Sequence, residues 1–184
     1  MKTLVLIAAI AVSIVFAVIA VGTARHWFVA PAVAVVAAVI VVSLALPLTV
    51  SGAPWLSVAV ALGLGTLGVL AGSPIVGLVL RFAQGGVELG AHGGIVVDDT
   101  DAATKATRRE ILRGGTTIGY LERAALVGTV VAGQGAAIAV IVAIKGLGRF
   151  SELDDSRARE RFIIGTLTSL IWAGACAAAI MLVA

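Results

Sequence analysis

Long apolar runs separated by brief polar breaks dominate the chain. Residues 3–24, 28–50, 55–80 and 162–184 contain no Asp, Glu, Lys or Arg. A helix needs about 20 apolar residues to cross a hydrocarbon core of about 30 Å, so each run is long enough to span. The runs are continuous and show no alternation in segments of about ten residues, which argues against a strand barrel. Three spans are predicted in the first part of the chain, over residues 3–23, 28–50 and 55–81. Arg25-His26-Trp27 and Ser51-Gly52-Ala53-Pro54 form the turns between them. Trp27 is placed at headgroup level, where tryptophan is enriched. A kink is expected at Pro74.

Residues 82–113 are the one long polar stretch. Gly85-Gly86 and Gly93-Gly94 interrupt regular structure there. Asp98-Asp99-Thr100-Asp101 reads as a helix start, so Ala102–Arg113 is expected to be a short amphipathic surface helix, acidic in front and basic behind. The apolar run Thr116–Phe150 would be about 50 Å long as one helix at 1.5 Å per residue. Gly133-Gln134-Gly135 divides it into a span over 115–132 and a short span over 136–150. A last span covers 158–183. The predicted fold is therefore all-α, a polytopic bundle of six transmembrane helices with the fifth short. It has a three-span part (1–81), a cytoplasmic loop (82–114) and a second three-span part (115–184).

Composition agrees. Hydrophobic residues make up 60% and charged residues 12% of the 184 residues, and mean hydropathy is +1.14. Soluble domains have roughly 45–50% apolar and about 25% charged residues, and disorder needs the opposite bias. The net charge of +3 comes without a basic stripe interleaved with aromatics, so no nucleic-acid partner is expected. The charges instead fit the positive-inside rule. With loop 82–114 in the cytoplasm, every Lys and Arg except Lys2 falls on that side, and both termini face out. Arg outnumbers Lys ten to three, and Ala, Val and Gly are abundant, which suggests a high-GC bacterial genome. Lys2 and its apolar run resemble a secretory signal, but a run of about 20 residues exceeds a signal core of 7–15, so a retained span is expected.

Charges within spans are costly unless paired or hydrated. Glu122 and Lys145 lie at nearly equal distances from Gln134, the turn of the helical hairpin. They are expected to sit level and to pair. Arg123, Arg149, Glu160 and Arg161 belong to the same candidate cluster, with a structural or anion-binding role. Gly68 and Gly72 form a GxxxG, expected to let two helices approach closely. Thr166, Thr168 and Ser169 are expected to hydrogen-bond between helices. Cys176, the one cysteine, reads as a packing residue.

Catalytic grammar is missing. Asp99, Asp101 and Glu110 match calcium-loop positions, but Ala103 and Thr104 stand where an acid or Asn and the invariant Gly belong. No metal site or cofactor is expected. His92 has no partner at ligand spacing. The glycine-rich stretches lack the P-loop Lys-Ser/Thr, and neither HExxH nor GxSxG occurs.

One stretch carries a likeness. Ile118-Gly119-Tyr120-Leu121-Glu122-Arg123, then Gly133-Gln134, Ala143-Ile144-Lys145, Arg149-Phe150, Glu152-Leu153 and Ile164-Gly165-Thr166-Leu167 with Ser169 follow in order. This resembles the C-terminal part of an uncharacterised family of bacterial polytopic membrane proteins, classed as a domain of unknown function. The resemblance covers about residues 115–172, and the N-terminal half does not match. It implies an inner-membrane protein and no particular reaction. It also implies that Glu122, Arg123, Lys145 and Arg149 form one recurring unit.

The function expected from the sequence is a non-enzymatic membrane bundle acting through self-association or a membrane-protein partner. The alternatives are a small transporter or channel using Glu122, Lys145 and Gln134, and an interfacial binder or enzyme for lipid phosphates using Arg113, Arg123, Lys145 and Arg149. The bilayer, with an anionic lipid as candidate ligand, is the expected environment.

Overall fold

The computed structural model describes residues 2–23, 25–46, 53–84, 95–97, 109–111, 115–147 and 156–183. Helix α1 (Lys2–Thr23) leads through a 3-10 turn (His26–Val29) into α2 (Ala30–Ala45). Helix α3 (Pro54–Leu70) continues after a break as α4 (Gly72–Gln84). Then come α5 (Gly115–Val131), α6 (Ala137–Leu147) and α7 (Ser156–Val183). Prolines open two helices, Pro31 in the first turn of α2 and Pro54 at the start of α3, where the missing N–H costs nothing.

Three helical stretches are long and apolar enough to cross a membrane: Thr3–Thr23, Trp27–Ala45 and Ala158–Val183. The pair α3–α4, bent by 42°, makes a fourth if it acts as one broken span. The expectation of six spanning helices therefore exceeds what the described residues support. Helix α5 has 17 residues and α6 only 11, about 25 Å and 16 Å at 1.5 Å per residue. The shortening has a local cause. Gly133 adopts φ +72°, the left-handed conformation that glycine reaches without strain. The Gln134 N–H bonds the Thr129 carbonyl at 2.7 Å and the Gly133 N–H bonds that of Val130 at 3.0 Å. This pair of bonds is a Schellman stop, and it ends α5 before a spanning length is reached.

The loop also departs from expectation. Arg109–Ile111, placed by the sequence in a surface helix, is a strand (β2) paired antiparallel with β1, Ile95–Val97. Ile95 faces Ile111 in register and Val97 faces Arg109. A lone helix of about a dozen residues is marginal, whereas the β-branched run Ile95-Val96-Val97 favours a strand. The expected helix start at Asp98–Asp101 lies outside the described residues.

The core draws on both halves of the chain. Ile10, Ala17, Val36, Leu64, Leu67, Leu126, Ala173, Cys176 and Ile180 form one buried cluster. Alanines and Cys176 sit in it among larger side chains such as Leu64, Leu67 and Val36. Other large aliphatic side chains point outward, among them Leu4, Val15, Val41, Leu44, Leu62 and Ile171. Lipid is as apolar as leucine, so helices in a membrane associate through close packing of small residues rather than by hiding large ones. Gly68 packs on Cys176 and Val127, Gly63 on Ile10, and Gly165 on Val76. The GxxxG of α3–α4 is thus spent on contacts within the chain.

Cross-helix contacts set the directions. Ser73 and Ser169 share one partner, and Val76 meets Gly165, so α4 and α7 run antiparallel. Trp27 touches Phe82, which brings the end of α1 beside the end of α4. The starts of α5 and α7 lie at that same end, and Trp55 opens α3 at the other. Tryptophans therefore mark both ends, with Trp27 72% and Trp55 63% exposed, as interfacial anchors do.

Candidate functional site at the helix break

Helix α3 stops at Leu70, and Pro74 follows in the first turn of α4. Proline has no N–H to offer the Leu70 carbonyl four residues earlier, and the chain bends here. Two side chains from other helices donate to main-chain carbonyls just before the bend. The Arg123 Nε of α5 donates to the Val69 carbonyl at 2.8 Å. The Trp172 Nε1 of α7 donates at 3.1 Å to the Leu67 carbonyl, which also accepts the Ala71 N–H at 3.0 Å. Both carbonyls belong to the last turn of α3, the negative end of its dipole, where a cation is favoured.

Arg123 is 3% exposed and fully engaged in this role. Its Nη2 donates to Ser73 Oγ at 2.8 Å and its Nη1 to Ser169 Oγ at 3.2 Å. The guanidinium lies 5.3 Å from the ring centroid of Tyr120, one turn earlier on α5. Two glycines make room for it. A Cβ on Gly72 would fall 2.5 Å from Arg123 Cδ and Nε, and one on Gly119 would fall 3.1 Å from Nη1. Arg123 thus ties α3, α4, α5 and α7 at one level, near the middle of α7. Among the described residues its hydrogen-bond partners are neutral, and the α3 dipole, the Tyr120 ring and the adjacent Glu122 carboxylate provide the electrostatic compensation.

Glu122, the neighbouring residue, points away from that centre. Lys145 Nζ of α6 donates to Glu122 Oε2. Lys145 also sits 6.0 Å from the Phe162 ring centroid. The pairing follows from the hairpin register around Gln134. The two side chains keep 16% and 14% exposure, so the pair is shielded but not sealed. Exchanging the charges provides a direct check. Glu122→Lys or Lys145→Glu alone should cut the yield of folded protein several-fold, by leaving like charges together in a site of low polarity. The double exchange should recover most of it, less the Phe162 contact. A double variant no better than the singles would show that the pair does not stabilise the hairpin.

The candidate cluster is therefore divided in two. Arg123 faces the core and Glu122–Lys145 faces α6. Glu160 is exposed and Arg161 half-buried at the start of α7. Arg113, Arg149, His92 and the Asp98–Asp101 group lie outside the described residues. An anion-binding role for Arg123 is disfavoured, because its guanidinium is buried and all three nitrogens already donate. Gln134 is exposed at the hairpin tip, away from any path through the bundle. Ser169 does bond between helices, as Thr166 was also expected to do. Thr166 Oγ1 is instead buried without a hydrogen-bond partner among the described residues. Sequence reasoning missed Ser73 and Trp172. Pro74 was the available signal, since a proline inside a span marks a bend where side chains from other helices can reach the main chain. Among the described residues no group of His, Cys, Asp and Glu is arranged to hold a metal ion.

Comparison with known proteins yields no match to a family, to a curated protein or to a solved structure.

Proposed function

We propose that the chain is a non-enzymatic membrane bundle that works by docking its α5–α6 hairpin onto a second membrane-embedded protein, either a different chain or another copy of this one. The observation that carries this reading is the state of α6. It contributes no buried residue and leaves Val140, Ile144 and Leu147 exposed, up to 79% for Leu147. Its described length, 11 residues, is also too short to cross the hydrocarbon alone. Irregular backbone at membrane depth is tolerated where protein or a water-filled cavity covers it. A partner beside α6 supplies that cover for the turn over 132–136. The Glu122–Lys145 pair then has the role of holding α6 against α5 in the presenting position. Self-association through Gly68 and Gly72 is not part of this proposal, because those glycines already pack inside the chain.

The same reading places the chain in a bacterial inner membrane, with the end that carries Arg25, Arg81 and the start of α7 in the cytoplasm and both termini outside. Its support is the charge asymmetry: among the described residues Arg25, Arg81, Arg159 and Arg161 stand at that end and Lys2 at the other.

Site-specific photocrosslinking in native membranes tests the docking. A crosslinking side chain at Val140 or Ile144 should give a discrete protein adduct, of twice the chain's mass if a second copy is the partner. The same group at Val41 or Leu44 on α2 should label lipid alone. Equal lipid labelling from both helices would overturn the proposal.

A second reading, a small transporter, draws on a different observation. A broken span, a buried cation and an ion pair coincide near mid-bundle, as they do in transporters built around discontinuous helices. Under that reading Glu122→Gln abolishes substrate movement while the fold persists.

A further inference from the structure

Two arginine–aromatic segments far apart in the sequence meet at one end of the bundle. Arg25 precedes the 3-10 turn, and its carbonyl accepts from the Phe28 N–H at 3.2 Å. That turn leaves Trp27 pointing outward. Arg81 and Phe82 stand in the last turns of α4. The Trp27 and Phe82 rings meet edge to face, with centroids 6.1 Å apart and planes at 87°. Both rings stay largely uncovered, at 72% and 71% exposure, and Arg25 and Arg81, close to them along the chain, are exposed as well. No Asp or Glu occurs anywhere in residues 1–84, the whole of α1 to α4. The neighbouring α7 brings Glu160, itself flanked by Arg159 and Arg161.

From this juxtaposition we infer that Arg25, Trp27, Arg81 and Phe82 form a binding site for the headgroup of an anionic phospholipid. The chemistry has two parts. Guanidinium groups recognise phosphate through paired, charge-assisted hydrogen bonds. Aromatic rings settle at headgroup level, where one edge meets water and the other the acyl chains. A free phosphate would use only the arginines and leave the ring pair bare. A lipid uses both, with its phosphate between the arginines and its glycerol and upper acyl chain along the rings. The basic end of the bundle is also the end where an anionic leaflet is met if it faces the cytoplasm. The site is distinct from Arg123 and does not depend on the docking of α6.

The test is native mass spectrometry of the protein released from nanodiscs containing equal amounts of phosphatidylglycerol and phosphatidylcholine. Wild-type protein should retain phosphatidylglycerol in clear excess. Each arginine near a membrane surface contributes on the order of a fivefold preference for anionic lipid, so Arg25→Gln with Arg81→Gln should lower that excess roughly tenfold or more. The conservative pair Arg25→Lys with Arg81→Lys should keep most of it. Trp27→Ala with Phe82→Ala should reduce retention of both lipids. Wild-type protein that holds the two lipids equally would overturn the inference without any variant. An unchanged ratio in the Gln pair would overturn it too. So would an equal loss in Arg159→Gln, which leaves the four residues intact and would point to general charge attraction.

Discussion

Replacing Arg123 with alanine is expected to destabilise the bundle by about 3–5 kcal/mol, because a buried group that serves three acceptors disappears and leaves a cavity. In a chain of this size that corresponds to a fall of roughly 10 °C in melting temperature. The Val69 carbonyl loses its donor, Ser73 and Ser169 lose theirs, and the Tyr120 ring loses its cation. Two further variants separate the causes. Arg123→Lys keeps the charge but cannot present a planar fork to three acceptors, so it should recover only part of the loss. Arg123→Met keeps most of the volume and no donor, so it should recover less than Lys does. Thermal melting followed by circular dichroism in detergent reads all three. An alanine variant melting within about 2 °C of wild type would show that the break holds without its arginine.

Gly72→Ala carries the second large effect, through the same contact. Its new Cβ would stand 2.5 Å from Arg123 Cδ and Nε and 2.9 Å from Cζ. A long side chain usually swings away from such a clash at little cost. Arg123 is held at its tip by hydrogen bonds to α3, α4 and α7, so displacement breaks them. Overpacking of this kind costs about 1–3 kcal/mol. The better helix propensity of alanine, worth up to about 1 kcal/mol, offsets part of this. A fall of about 5 °C is expected. The diagnostic result is the double-mutant cycle. In an Arg123→Ala background the space is vacant, so Gly72→Ala should there be neutral or stabilising. Additive losses would mean that Gly72 acts through something other than Arg123.

Much of the architecture was legible along the chain. The charge-free runs marked α1, α2, the α3–α4 stretch and α7. The glycine pair at 133 and 135 marked the hairpin tip, and equal spacing from that tip placed Glu122 against Lys145. Hairpin register is a local property, fixed by a turn and a count of residues, which is why sequence alone reached it. The same counting failed for the number of spans. A run of apolar residues states what lipid tolerates, not where a helix ends, and the Schellman bonds after Val131 end α5 at 17 residues.

What the sequence determined by itself is membrane residence, the asymmetry of charge and the level of the Glu122–Lys145 pair, because each depends on composition or short-range spacing. What only the tertiary structure decided is direction. Arg123 and Glu122 are neighbours in sequence, and nothing in their spacing says that one turns into the core while the other faces α6. The apolar helices offer no guide, since they are hydrophobic all round and show no polar face to orient them. Composition does not separate the faces either, since Leu64, Leu67, Val36 and Val60 are buried while Leu4, Val15, Leu44 and Leu62 face outward. Close packing needs the partner helix in place before it selects a face. The same holds for Arg123 and Trp172 at the helix break and for Trp27 and Phe82 at the bundle end. In each case the groups come from separate helices, and only the assembled bundle brings them within reach.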